Sequence, residues 1–196
     1  LIISFDLRKT NYKAIKRTSS LTFGCVGAGR IGTSVLLKAS ALGFQTTFYD
    51  PYVSSGYEKA IKTCRSENLQ EFLAISDVVS LHLPLSEESR GLVNKEFLSL
   101  MKPGSILVNT ARGELIHDLD DIFDEILNGQ LNGVALDVLP TEPPKSGKLI
   151  DAWRSNLDLA SKILINPHTA YYSQESFVEM RKKAAANAKL IIDGFT

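Results

Sequence analysis

The sequence predicts an α/β protein, a doubly wound parallel sheet with helices on both faces. Three observations predict it. Short apolar runs alternate with stretches of helical spacing along the 196 residues. The runs are apolar throughout rather than alternating, as strands buried on both faces are. The most polar and most glycine-rich residues fall just after those runs, where an open parallel sheet forms its ligand crevice.

The organising stretch is Leu21 to Asp50, LTFGCVGAGRIGTSVLLKASALGFQTTFYD. Leu21 to Val26 reads as a buried strand. The chain then turns through Gly27-Ala28-Gly29-Arg30-Ile31-Gly32. Ile31, Val35, Ala39 and Leu42 follow at helical spacing, and Gly43 stands where a helix stops. Thr46 to Tyr49 is a second strand ending in Asp50. Strand, glycine-rich turn, helix, strand and acid are the ordered parts of a dinucleotide site. Gly27 permits the tight turn, Gly29 lets the backbone approach a pyrophosphate, and Gly32 allows close packing of helix and strand. The helix N-terminus offers N–H groups to phosphates. Asp50 is placed to accept hydrogen bonds from a ribose diol and to repel a 2′-phosphate, which selects NAD over NADP. The fold is therefore a Rossmann domain.

The remaining elements follow in order. Leu1 to Arg17 reads as a helix with Ile3, Leu7, Ala14 and Ile15 partly on one face. Pro51 to Gly56 is a loop, Lys62 to Cys64 a short third strand, and Asn68 to Ile75 a helix with Leu69, Phe72 and Leu73 inward. Asp77 to Leu83 is a strand stopped by Pro84, with His82 inside it as a structural residue. Asn94 to Met101 is a helix, Lys102-Pro103-Gly104 a turn, and Ser105 to Asn109 a strand. His117 leads into the helix Leu119 to Leu127, which Asn128-Gly129 ends. Gly133 to Asp137 and Ile163 to Ile165 are strands, with a proline-rich loop, Thr141 to Gly147, after the first. Ser173 caps a long last helix with Phe177, Met180, Ala184, Ala188 and Ile191 on one face. The organisation expected is a leading helix at 1–17, a dinucleotide-binding core at 21–168 and a final helix at 173–193.

Composition narrows the function. Twenty-two basic residues balance 22 acidic ones, so no nucleic-acid stripe or membrane-surface patch is expected. No apolar run reaches spanning length. The two cysteines, Cys25 and Cys64, fall in predicted strands and read as reduced structural thiols of a cytoplasmic protein. No metal-ligand spacing is present, so no metal site is expected. The chain opens without methionine, which reads as an excerpt of a longer protein.

Three residues after strands form the candidate reacting group: Arg112 in NTARG, Glu142 in DVLPTEPP and His168 in NPHTA. Hydride exchange with a carbonyl needs a proton donor for the developing alkoxide, which suits histidine. A carboxylate beside it orients the ring and stabilises the imidazolium. An arginine clamps a substrate carboxylate in a bidentate fork.

From Gly24 to about Ala184 the chain resembles the coenzyme domain of the D-isomer-specific 2-hydroxyacid dehydrogenases. The stretches that carry the resemblance are VGAGRIG, FYDP, SDVVSLHLPL, LVNKEFLSLMKPGSILVNTARGELI, GVALDVLPTEPP and NPHTA. FYDPYVSSGYEKA and HTAYYSQESFVEMRKKAA look most like its C-terminal-binding-protein branch, although HLPL is closer to ordinary dehydrogenases. The resemblance implies that Arg112, Glu142 and His168 are the catalytic residues, with Arg112, His168 and Tyr171 beside the substrate. Tyr171 stands where animal members of that branch carry tryptophan. It implies a cofactor site of Gly27, Gly29, Arg30, Ile31, Asp50, Leu83, Pro84, Thr110, Ala111, Arg112, Asp137 and His168, with Asp137 toward the nicotinamide carboxamide. It further implies NAD as cofactor, a 2-hydroxy or 2-keto acid as substrate, a homodimer joined through coenzyme domains, and a second domain built mainly from residues before this chain's start. The alternative it leaves is an NAD(H)-sensing dimeric scaffold or corepressor.

Overall fold

The computed structural model describes residues 16–155, 159 and 161–194. Seven parallel strands lie in the order β3-β2-β1-β4-β5-β6-β7. They are β1 (Thr22–Val26), β2 (Gln45–Tyr49), β3 (Cys64–Ser66), β4 (Val78–Leu81), β5 (Ser105–Asn109), β6 (Leu131–Leu136) and β7 (Ile163–Ile165). The order reverses between β1 and β4, and that switch point opens a crevice at the carboxyl edge. The helices are α1 (Arg30–Ala41), α2 (Tyr57–Ala60), α3 (Leu69–Ile75), α4 (Lys95–Leu100), α5 (Leu119–Asn128), α6 (Lys148–Ser155) and α7 (Gln174–Ile192).

Successive strand residues face opposite sides of a sheet, and β1 divides the core accordingly. Val26 joins the larger cluster, with Phe72 and Leu73 of α3, Leu98 of α4 and Ile122 of α5. Cys25 joins the smaller one, with Ala28, Leu36 of α1 and Phe48 of β2. Burial pushes the Cys25 thiol up to about 12, so it behaves as a core residue.

Local chemistry sets the helix ends. Asn68, Asn94, Asp118 and Ser173 each accept backbone N–H groups as side-chain caps of α3, α4, α5 and α7. Ser173 and Ser176 cap each other reciprocally. Gly129 ends α5 in the left-handed conformation. By contrast, α1 begins at Gly29 with no side-chain cap.

Several expectations need correction. The buried face of α1 is Gly32, Leu36 and Ala39, while Ile31 and Leu42 are 65% and 70% exposed. Gly32 sets this rotation, because it must press against the carbonyl of Gly27. The third strand is Cys64–Ser66 rather than Lys62 to Cys64, since Lys62 has φ 53, which no strand accommodates. β4 stops at Leu81, so His82 lies just beyond the strand. α2 and α6 lie where no element is expected. No residue of α7 is buried, so its apolar face does not enter the core described here. The expected helix at 1–17 falls mostly outside the described residues, and Arg17 itself is extended.

Candidate active site at the carboxyl edge

The glycine-rich turn is built by close backbone approach. Gly27 has φ 95, and its N–H donates to Tyr49 O at 2.9 Å. A Cβ on Gly27 would lie 2.5 Å from the carbonyl oxygen of His82, and one on Gly32 would lie 2.1 Å from that of Gly27. Both glycines are thus required by the protein itself. Gly29 is different, because a Cβ there would meet nothing within 4 Å. It faces open space at the uncapped start of α1, whose first turn carries no acidic residue. That is the shape and polarity a pyrophosphate needs, so the residues fit a dinucleotide.

Asp50, at the end of β2, is bonded to this turn. Its Oδ2 accepts from Ala28 N–H at 2.8 Å and its Oδ1 from Tyr52 N–H at 2.9 Å. Each oxygen keeps a further lone pair for a ribose hydroxyl. Between Asp50 and the Leu83-Pro84 segment lies a cavity of about 600 Å³, floored by Val26 and Gly27. Arg30 and Ile31 are exposed beside its phosphate end.

Residues after β5, β6 and β7 form the other end. Buried Asn109 donates to Arg112 O at 2.8 Å and accepts from Ala111 N–H at 3.0 Å, which shapes the turn through exposed Thr110. Gly113 then abuts the next loop, where a Cβ would lie 2.0 Å from Leu139 O. Leu139 N–H donates to Glu142 Oε1 at 2.9 Å, and Glu142 Oε2 meets His168 Nδ1 at 2.9 Å. Burial pushes the Glu142 carboxyl up, but hydrogen bonds from His168 and Leu139 and the charge of His168 outweigh it and hold it below its ordinary range. A carboxylate on Nδ1 places the proton there and leaves Nε2 for a substrate.

Asp137 fixes the posture of the histidine. Its carbonyl accepts from His168 N–H at 2.8 Å, and its two carboxylate oxygens accept from Thr169 and Ala170 N–H, both at 2.9 Å. These bonds hold His168 in the left-handed region, φ 55. In this structure the buried Asp137 carboxylate therefore braces the NPHTA turn. The Tyr171 ring stands edge-on to the His168 ring, 5.9 Å between centroids.

The structure thus joins Glu142 and His168 directly. Arg112 is on the same edge, but its Nη1 donates to Ala111 O at 2.6 Å, so its guanidinium turns to its own loop. Sequence reasoning missed Tyr52, Ser86, Glu88 and Ser89, which line the nucleotide cavity. It also missed Trp153, which with Glu142 and His168 lines a second cavity of about 460 Å³. The Ser-x-x-Ser spacing of Ser86 and Ser89 was the available signal for a locked turn.

A parallel sheet with a glycine-rich turn, a strand-end acid and a crevice at its switch point defines a dinucleotide-binding domain. The family profile "D-isomer specific 2-hydroxyacid dehydrogenase, NAD binding domain" matches residues 5–170. The chain belongs to that family, and its cofactor is NAD.

Among curated proteins it is 33% identical over 195 residues to C-terminal-binding protein 1 of Caenorhabditis elegans, covering 98% of this chain and 26% of that protein. It is 35% identical over 171 residues to a hydroxypyruvate reductase of Blautia hydrogenotrophica, covering 87% and 50%. The chain thus spans a quarter to a half of these relatives. Among solved structures, apo D-mandelate dehydrogenase of Rhodotorula graminis superposes with a TM-score of 0.79 at 29% identity, covering 91% of this chain and 50% of that one. D-lactate dehydrogenase of Aquifex aeolicus, complexed with NAD and lactic acid, gives 0.78 at 32% identity, covering 92% and 56%.

Proposed function

We propose that the whole protein is an NAD-dependent oxidoreductase that interconverts a small 2-hydroxy acid of D configuration and its 2-keto acid. The observation that carries this reading is the Glu142–His168 pair at 2.9 Å on the cofactor edge of the sheet. When bound, NAD supplies or takes up the hydride. His168 Nε2 donates a proton to the carbonyl oxygen in reduction and accepts the hydroxyl proton in oxidation. Glu142 holds the ring by Nδ1 and offsets the imidazolium charge. Arg112 swings from Ala111 O to clamp the substrate carboxylate, and Tyr171 walls the substrate beside His168. Asp50 takes the ribose hydroxyls, and Thr110, Ala111 and Pro84 line the cofactor's path.

In this reading the protein is a cytoplasmic homodimer, joined through its coenzyme domains. A monomer mass by light scattering at micromolar concentration would contradict the dimer. A second reading, an NAD(H)-sensing scaffold, is favoured by the similarity to C-terminal-binding protein 1 over 98% of the chain. Turnover of a panel of 2-keto acids by the whole protein with NADH separates the two. The dehydrogenase reading expects turnover of at least one, while tight NADH binding with no turnover supports the scaffold.

A further inference from the structure

Ala28, inside the glycine-rich turn, is held by a side chain at each of its peptide groups. Asp50 Oδ2 accepts from its N–H at 2.8 Å, and Thr33 Oγ1 donates to its carbonyl at 2.9 Å. Thr33 has a second partner, the Tyr57 hydroxyl, 2.7 Å away. A threonine hydroxyl carries a single hydrogen. Thr33 gives that hydrogen to Ala28 O, so Tyr57 must be the donor to Thr33. The bonds therefore run in one direction, from Tyr57 through Thr33 to the Ala28 carbonyl, and each polarises the next. The far end is anchored: the Tyr57 ring stands edge-on to the buried Phe48 ring, 6.3 Å between centroids, and packs on the smaller core cluster.

Ordinary helix chemistry does not account for this relay. A threonine inside a helix turns its hydroxyl back to the carbonyl three or four residues earlier. Thr33 reaches five residues back, past the start of α1 at Arg30. Core packing does not account for the Tyr57 hydroxyl either, because the ring contact with Phe48 needs no oxygen. What the relay fixes is the plane of the Ala28–Gly29 peptide. The C=O and N–H of a trans peptide point in opposite directions. With the carbonyl drawn to Thr33, the Gly29 N–H is turned away from Thr33, and among the described residues it meets no acceptor.

We propose that Thr33 and Tyr57 are positioning residues of the cofactor site, a relay that presets the Ala28–Gly29 peptide so that the Gly29 N–H is offered to the pyrophosphate. This rests on the glycine-rich turn being the pyrophosphate seat. Both side chains act through the peptide and not on the cofactor. A plane held in advance has less freedom to lose when the ligand enters.

The test is titration of the whole protein with NADH by fluorescence, with ADP-ribose and adenosine as competitors. ADP-ribose carries the pyrophosphate and adenosine does not. Thr33→Val, which keeps the branched shape and removes the hydroxyl, is expected to weaken NADH and ADP-ribose by the same factor, roughly three- to tenfold, and to leave adenosine unchanged. Thr33→Ser, which keeps the hydroxyl, should bind all three like wild type. Tyr57→Phe, which keeps the ring and its contact with Phe48, should weaken the same two ligands about twofold and add nothing in the Thr33→Val background, since both act through one bond chain. Adenosine weakened as much as ADP-ribose in both Thr33→Val and Tyr57→Phe marks a general loss of structure and overturns the proposal. Unchanged NADH affinity in Thr33→Val, with normal wild-type binding, also overturns it and leaves the cofactor site standing. Wild-type protein that binds ADP-ribose no tighter than adenosine overturns the pyrophosphate seat itself, and the proposal with it.

Discussion

At the β1–β4 end of the carboxyl edge, backbone meets backbone. Gly27 presses on His82, Gly32 presses on Gly27, and Asp50 is bonded to the turn it serves. At the β6–β7 end the proposed acid–base pair stands in the open, with the His168 and Glu142 side chains 43% and 39% exposed. The contrast separates two kinds of work. A binding site for a phosphate-bearing cofactor can be written in sterics and N–H groups, so it is finished within one sheet. A proton-transfer site needs a ring of fixed orientation and then a dry surrounding. In the proposed reading this edge supplies the first through Asp137 and Glu142.

Breaking the closed end should cost most. In Gly32→Ala the new methyl meets the carbonyl of Gly27 at 2.1 Å, forcing α1 off β1. The expected loss is about 3 kcal/mol or more, a fall in melting temperature of roughly 6–12 °C.

Acid should find the same end. Burial pulls His82 down from 6.5 to about 4. Its stability contribution is complete above the unfolded value of 6.5 and is lost as pH falls toward 4. Allowing for partial exposure, the loss is on the order of 2 kcal/mol. Urea unfolding at pH 7 and pH 5 checks it, and His82→Asn should flatten the slope.

Gly29→Ala should separate packing from binding, because its Cβ meets nothing. Melting should barely change, while NADH affinity should fall about tenfold, roughly 1.4 kcal/mol. Equal losses of stability in Gly29→Ala and Gly32→Ala would show that the two glycines do the same job.

The open end should yield least in stability. Glu142 has a carboxyl pKa lowered from 4.5, so its contribution is present above that value and lost as pH falls through the lowered one. Being exposed, the pair contributes under about 1 kcal/mol. Glu142→Gln should leave melting at pH 7 nearly unchanged and lower the rate instead.

Much of this architecture was legible in the sequence, and the gaps have physical causes. β5 and β7 were readable to the residue, because each is an apolar run bounded by a turn. Ser173 and Gly129 announced their helix ends through capping chemistry alone. The rotation of α1 was not legible, since Ile31 and Leu42 fit an apolar stripe and only the contact between Gly32 and Gly27 rules it out. The shift of β3 depends on one left-handed residue, Lys62. At the site, spacing could place Glu142 and His168 after neighbouring strands. It could not reveal that Asp137 spends both oxygens on Thr169 and Ala170, nor that Tyr52 reaches Glu88 across 36 positions. Both are tertiary pairings with no local pattern.

In the proposed reading, cofactor binding belongs to the closed end and proton transfer to the open one. His168→Ala in the whole protein tests it most directly, with NADH affinity and kcat/KM for a 2-keto acid measured on the same sample. The NADH Kd is expected within about threefold of wild type, and kcat/KM lower by roughly a hundredfold or more. Catalysis that survives the substitution, or binding and catalysis that fall together, would contradict it.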